Sequence, residues 1–373
     1  MNYFGKQIKT TIFGESHGPC IGALIDSPPC GVKINIELIK ERLAKRRPNP
    51  STSTGRVEED DFKIISGTLN NVTTGAPLCI VIENKNVDDK VYDDKYGIMR
   101  PSHADYTQFE KYHGFSDHRG GGRFSGRLTA ALVAAGAIAQ MCLTKYDIKI
   151  GTHILQVKNI VDRNIRMMED TYFLKSSDFP MLERDAKEKV LKEIENAKES
   201  GDSIGAVTET AIYNLPIGLG EPMFDTVEGE LSKAIFGIPA IKGISFGMGF
   251  DFANHNGSDA NDIPYVADGK ILYKTNNNGG INGGITNGSP IIFKCAVKPT
   301  PSIYKEQDSV HFMKKVDAKI KIEGRHDPFI AHRACPVIDA VSYLVILDLF
   351  AIRYGNDFIN SKVWYETSNN KWT

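Results

Sequence analysis

A chain of 373 residues with 41% hydrophobic residues, and with 45 Lys and Arg against 46 Asp and Glu, is long enough for a substantial core; it is neither disordered nor collagen-like. Its formal net charge of −1 supplies no global field for a polyanion, so nucleic acid is a poor partner and any basic chemistry must be local. The six cysteines (Cys20, Cys30, Cys79, Cys142, Cys295 and Cys335) form no C-x-x-C pair and suit free thiols in a reducing compartment.

The opening MNYFGKQIKT has no apolar stretch behind its charges, so no signal peptide is expected. Residues Gln7 to Phe13 read as a strand that ends in the turn Gly14-Glu15-Ser16-His17-Gly18. From Asn35, a good N-cap, a helix is expected with Ile36, Ile39 and Leu43 on one face, stopped by Pro48, its last turn carrying Lys45, Arg46 and Arg47. Phe62 to Leu69 and Ala76 to Glu83 read as strands joined at Asn70-Asn71, and the polar run Asn84 to Gly97 is expected to be exposed. The longest predominantly apolar uncharged run, the 17 residues from Leu128 to Thr144, falls short of the roughly 20 that span a bilayer. It reads as a buried helix in a cytoplasmic protein without a membrane partner.

Asp185 to Ser200 is an amphipathic helix with Val190, Leu191 and Ile194 inward, and Gly205 to Phe250 mixes short β-like runs with glycine turns. A glycine- and asparagine-rich loop, Asn276 to Gly288, precedes KPTPS (298 to 302) and GRHDP (324 to 328), and an apolar helix from about Pro336 to Phe350 closes the pattern. No low-complexity linker divides the chain. Short strands mixed with a few helices predict an α+β fold, one domain over residues 1–373.

Nucleotide fingerprints are missing: no G-x-G-x-x-G follows a strand, and no P-loop occurs. GESHG does match the G-x-S-x-G nucleophile elbow with Ser16 as nucleophile, but that elbow belongs after several strands and an oxyanion loop, and only one strand can precede residue 16. His17 in its glycine turn, His103 after Arg100-Pro101, and His326 beside Asp327 stand out by context, and His17 and His103 suit acid-base work. Turns of this kind are expected to hold such side chains at a cleft mouth without burying them. Arg46, Arg47, Arg100, Arg119, Arg123, Arg127, Arg325 and Arg333 all lie beside Gly or Pro turns, a pattern for a small polyanionic ligand. The residues alone therefore leave three readings open: an acid-base enzyme acting on such a ligand, a serine hydrolase, and a non-catalytic anion binder.

GESHG, RRP, RPSHAD, GGGRFSGR before an Ala-rich helix, GLGEP, IPAIKG, the glycines Gly279 to Ile285, KPTPS, and GRHDP with RACP occur in one order along nearly the whole chain. In that order they resemble the chorismate synthase family. The resemblance implies a β-α-β sandwich in which antiparallel sheets enclose helices, assembled as a homotetramer. It implies conversion of 5-enolpyruvylshikimate 3-phosphate to chorismate and phosphate with reduced FMN (FMNH2), NADPH or an external flavin reductase serving as source of electrons. Carried over by motif, His17, His103 and Asp327 are the implied catalytic residues. The implied flavin residues are Arg123, Phe124, Ser125, Pro239, Ala240, Gly283, Lys298, Pro299, Thr300, Pro301, Ser302 and Arg325. Arg46, with Arg47, is implied for NADP or substrate. The family's RSSARET stands here as Arg123-Phe124-Ser125-Gly126-Arg127-Leu128-Thr129, and RPGHAD has Ser102 for glycine, a substitution that threatens a positive φ. Thr52 replaces an arginine, with Arg56 as a substitute, and Phe329 replaces a cysteine.

Overall fold

The computed structural model describes residues 2–48, 60–85, 96–322 and 326–360. Thr52, Arg56 and Arg325 lie outside them. One antiparallel sheet is formed near the N-terminus by β1 (Tyr3–Phe4), β2 (Thr10–Gly14), β3 (Cys20–Ile25), β4 (Phe62–Ser66) and β5 (Leu78–Glu83), in the spatial order β1-β2-β3-β5-β4. A second antiparallel sheet is formed by β6 (Lys149–Val157), β7 (Ile160–Val161), β8 (Ala206–Tyr213), β9 (Ile241–Phe246) and β10 (Ile291–Val297), in the order β9-β10-β8-β6-β7. The longer helices among the described residues are α1 (Ile36–Arg46), α2 (Asp105–Lys111), α3 (Thr129–Cys142), α4 (Met168–Ser176), α5 (Arg184–Glu199), α6 (Val227–Ile235) and α7 (Ala331–Tyr354).

Between the sheets, α3 packs on β3 and β5, α7 packs on β6 and β8, and the two helices pack on each other. Period-2 alternation in the first sheet sets its inner face: Ile21, Ala23, Ile25, Leu78, Ile80 and Ile82 are all fully buried, while Cys20, Leu24, Cys79 and Val81 between them are only partly buried. The Ala-rich composition of α3 has a packing reason. A Cβ at Gly136 would overlap Ala340 of α7, so small residues let the two backbones approach closely. One continuous hydrophobic cluster runs through both sheets and the helices between them.

α1 follows the expected helix: the Asn35 side chain accepts from the Leu38 N–H at 3.2 Å, and Ile39 and Leu43 are buried. α7 begins at Ala331, five residues before the expected start, and carries Pro336 inside it. Pro336 removes only the bond to the His332 carbonyl, and burial of the surrounding turns carries the helix across that gap. Length and apolarity would let α7 cross a bilayer, but most of it is buried between the layers, as in a core helix. Its Asp348 carboxylate accepts from the backbone N–H groups of Lys6, Gln7 and Ile8 at 2.8, 2.8 and 2.7 Å, which pins the chain entering β2. That anchor fixes the hairpin on which the first histidine stands.

Candidate active site

His17 sits in the turn Glu15–Pro19 between β2 and β3. Asn84, just beyond β5, closes this turn from one side, its Nδ2 donating to the carbonyls of Glu15 at 3.0 Å and Gly18 at 2.8 Å. From the other side, the Ser16 N–H donates to the Gly122 carbonyl at 3.2 Å. Contrary to the expectation that the turn leaves them open, Ser16 and His17 are buried, 6% and 8% exposed. They are covered because the glycine run 120–122 folds directly over them.

Gly120, Gly121 and Gly122 have φ of 59°, 84° and 51°, three successive left-handed conformations that only glycine adopts without strain. Each does a separate job. A Cβ at Gly120 would overlap the His17 ring, and one at Gly122 would overlap the Asp117 carbonyl. A Cβ at Gly121 would stand 3.5 Å from His103 Cε1 and 3.7 Å from Nε2. The turn therefore lies between the two implied catalytic histidines and touches one with each of two consecutive residues.

His103 is held from behind. Its Nδ1 lies 2.7 Å from Asp105 Oδ1, and Arg100 grips the same carboxylate through Nε at 2.9 Å and Nη2 at 2.6 Å. Burial would push the Asp105 carboxyl up, but the hydrogen bonds from Arg100 and His103 override it and hold the group far below the usual carboxylate range. An ionised Asp105 assigns the Nδ1 hydrogen to that contact, which turns Nε2 toward the glycine turn. Ser102, immediately before, has φ of 60°, the conformation for which the family pattern has glycine. Its carbonyl accepts from Lys298 Nζ at 2.6 Å, which ties RPSHAD to KPTPS.

The basic run at the end of α1 meets the glycine-arginine turn through a residue that sequence reasoning passed over. The Asp60 side chain is fully buried; Arg46 Nη2 donates to its Oδ2 at 2.9 Å, Arg127 pairs with Oδ1, and Arg47 Nε lies 3.7 Å away. Burial pushes the Asp60 carboxyl up, and the charges of Arg46 and Arg127 overturn that and draw it down. Arg127 Nε also donates to Asn84 Oδ1 at 3.1 Å, so Asn84 braces the His17 turn with one end and the arginine turn with the other. Arg46 is thus committed to an interior ion pair, whereas the Arg47 side chain is about a third exposed. No spacing rule marks Asp60 or Asn84 in the sequence, one being an acid in a charged run and the other a polar residue after a strand.

Asp327 pairs with Arg333 of α7, and Arg333 Nε donates to the Arg46 carbonyl at 2.9 Å. The GRHDP acid is in this way connected through α7 to the end of α1. Arg123 Nη2 donates to the Ile12 carbonyl of β2 at 3.1 Å, Phe124 is partly exposed, and the Ser125 hydroxyl accepts from the Arg127 N–H at 3.3 Å. The Lys298 N–H donates to the Ala240 carbonyl at 2.9 Å, and Ala240 has φ of 74°, so Pro239, Ala240 and the KPTPS run form one patch. Burial and the charge of Lys242 push the Lys298 ammonium down. Within that run, the Thr300 carbonyl accepts from the Ser203 hydroxyl at 2.7 Å and Ser302 is buried. Gly283 turns a small hairpin whose next residue, Gly284, packs on Thr226 at the start of α6, and a Cβ at Gly283 itself would meet open space.

Known proteins are similar to this chain in sequence and in fold. The family described as chorismate synthase matches residues 8–351. Curated proteins named chorismate synthase are similar along almost their whole length. One from Dehalococcoides mccartyi is 44% identical over 355 residues, 95% of this chain and 97% of its own, and one from Pyrococcus abyssi is 42% identical over 350 residues, 94% and 97%. Among solved structures, one titled "Crystal Structure of Chorismate Synthase" superposes with a TM-score of 0.76 at 26% identity, covering 98% of both chains. The sandwich with its enclosed helices is therefore the family's fold, and the chain belongs to the chorismate synthase family.

Proposed function

We propose that this lyase forms chorismate by 1,4-anti elimination of phosphate from 5-enolpyruvylshikimate 3-phosphate, with reduced FMN bound beside the glycine turn. The observation that carries the reading is the placing of His17 and His103 on either side of Gly120 and Gly121. Two acid-base groups are thereby brought against one turn instead of being scattered over the surface.

An anionic, hydrogen-bonding cofactor fits the residues present. Thr300 Oγ1 is buried and has no hydrogen-bond partner, a state that costs about 1–3 kcal/mol unless a ligand group answers it. Arg123, Phe124, Ser125, Pro239, Ala240, Gly283 and the run Lys298 to Ser302 are the residues to hold FMN, with positive charge from Arg123 and Lys298. When bound, reduced FMN supplies electron density for loss of phosphate and accepts the ring hydrogen, which no side chain is basic enough to remove because no carbonyl acidifies that C–H.

The protein binds, orients and moves protons. The substrate brings one phosphate and two carboxylates, and the turn-mounted arginines provide fields to hold them. His17, enclosed between its hairpin and Gly120, delivers a proton to the departing phosphate. His103, fixed through Nδ1 by Asp105, holds a proton at Nε2. Asp327, oriented by Arg333, passes a proton beside the reacting atoms. Burial of His17 keeps water away from the leaving group. Homotetrameric assembly, a cytoplasmic setting and electron supply by NADPH or a separate reductase complete the proposal.

The test is replacement of each histidine. His17→Ala and His103→Ala are expected to lower turnover by about 10²- to 10⁴-fold with reduced FMN saturating, the range of general acid-base groups. Wild-type turnover in either variant would remove that residue from the mechanism.

A further inference from the structure

His326, the third histidine that the sequence singled out, has no part in the mechanism above. Its Nε2 is buried and makes no hydrogen bond. Buried ring nitrogens are nearly always satisfied, so an orphan of this kind points to a partner. The ring leans against Tyr304, with centroids 6.0 Å apart at 55°, so packing fixes its direction. Tyr304 lies just past KPTPS, and the Pro328 carbonyl accepts from the Ile204 N–H at 3.0 Å, which anchors the segment following His326.

The surroundings select the kind of partner. Burial and then the charge of Arg100 push the His326 imidazole below its usual value, with Asp327 opposing. Arg100 is the residue that carries Asp105 and His103, and Asp327 is the acid paired with Arg333. His326 is thus held as a neutral ring with the Arg100 charge as the cation that acts on it. A neutral N–H facing such a setting suits an anionic oxygen, which both the arginines and the ring can hold.

We propose that His326 is a substrate-binding residue whose Nε2–H donates to an anionic oxygen of the bound substrate, a carboxylate or the phosphate. The inference rests on the lyase reading for the identity of that substrate. It makes His326 a holder of substrate, not a participant in proton transfer. A neutral donor at the Nε2 position is then sufficient, and the amide of glutamine can replace it.

The experiment is calorimetric titration of 5-enolpyruvylshikimate 3-phosphate into protein saturated with oxidised FMN, a binding readout that needs no turnover. His326→Leu is expected to weaken substrate binding by roughly 10- to 150-fold, the worth of one hydrogen bond to a charged group, while His326→Gln stays within about threefold of wild type. FMN affinity, titrated without substrate, is expected to be unchanged in both. Equal substrate affinity in wild type and His326→Leu would overturn the assignment, as would a loss of FMN affinity in place of substrate affinity. Wild-type protein that binds no substrate would sink the lyase reading itself, a separate result. Thermal unfolding by circular dichroism shows that both variants fold; should His326→Leu not fold, His326→Phe, which keeps the ring, takes its place with the same expectation.

Discussion

Gly120 lies so close to His17 that any side chain at residue 120 would occupy the space of the imidazole. The contact makes a backbone atom the wall of the candidate site. It also separates two kinds of glycine in the motif GGGRFSG.

Gly120→Ala combines a positive φ with a Cβ driven into His17, and displacement of a catalytic group by about 1 Å lowers rate on the order of 10²-fold. Gly126→Ala meets nothing within 4 Å and has no positive φ, so it is expected to be nearly silent. Steady-state turnover of the two variants checks this. Equal activities would mean that the tri-glycine turn does not set the position of His17.

Asp60 holds Arg46 and Arg127 from a fully buried position. Removing one partner of such a group leaves uncompensated charge inside and destabilises by about 3–5 kcal/mol. Asp60→Ala is expected to lose that much in urea unfolding. A loss under about 1 kcal/mol, within the range of surface pairs, would show that water reaches these arginines and that the network is superficial.

Lys175 lies 3.3 Å from Tyr343 Oη, and burial with the nearby Arg42 charge pushes its ammonium from 10.5 down to about 8. The unfolded chain keeps the proton to higher pH than the folded one, so between about pH 8 and 10.5 unfolding takes up a proton and this group makes stability rise with pH. Lys175→Met is expected to be more stable than wild type at pH 7, with the gap narrowing by pH 10. A gap that does not change with pH, measured by chemical denaturation, would refute the depressed lysine.

Much of the fold could be read in the residues because local signals agreed with tertiary packing. Asn35 and Pro48 bracket α1, and the Ala-rich run is α3 because it must pass close to α7. The second sheet was harder to read. β6 is buried on both faces, so Thr152 and His153 interrupt any apolar alternation, and Thr152 is answered by Asp339 at 2.6 Å from another layer. At the site, His17 was visible from its glycine turn, but its burial was not, since a turn gives no sign of what folds over it. Asp60 and Asn84 act through partners as many as 69 residues away, contacts that no local pattern encodes.

Phosphate release from 5-enolpyruvylshikimate 3-phosphate under anaerobic conditions, compared with chemically reduced FMN, oxidised FMN and no flavin, tests the proposed chemistry most directly. Chorismate and phosphate are expected in equal amounts with reduced FMN only, with many turnovers per flavin and no net consumption of its electrons. Phosphate release with oxidised FMN or without flavin, or none with reduced FMN, would contradict it.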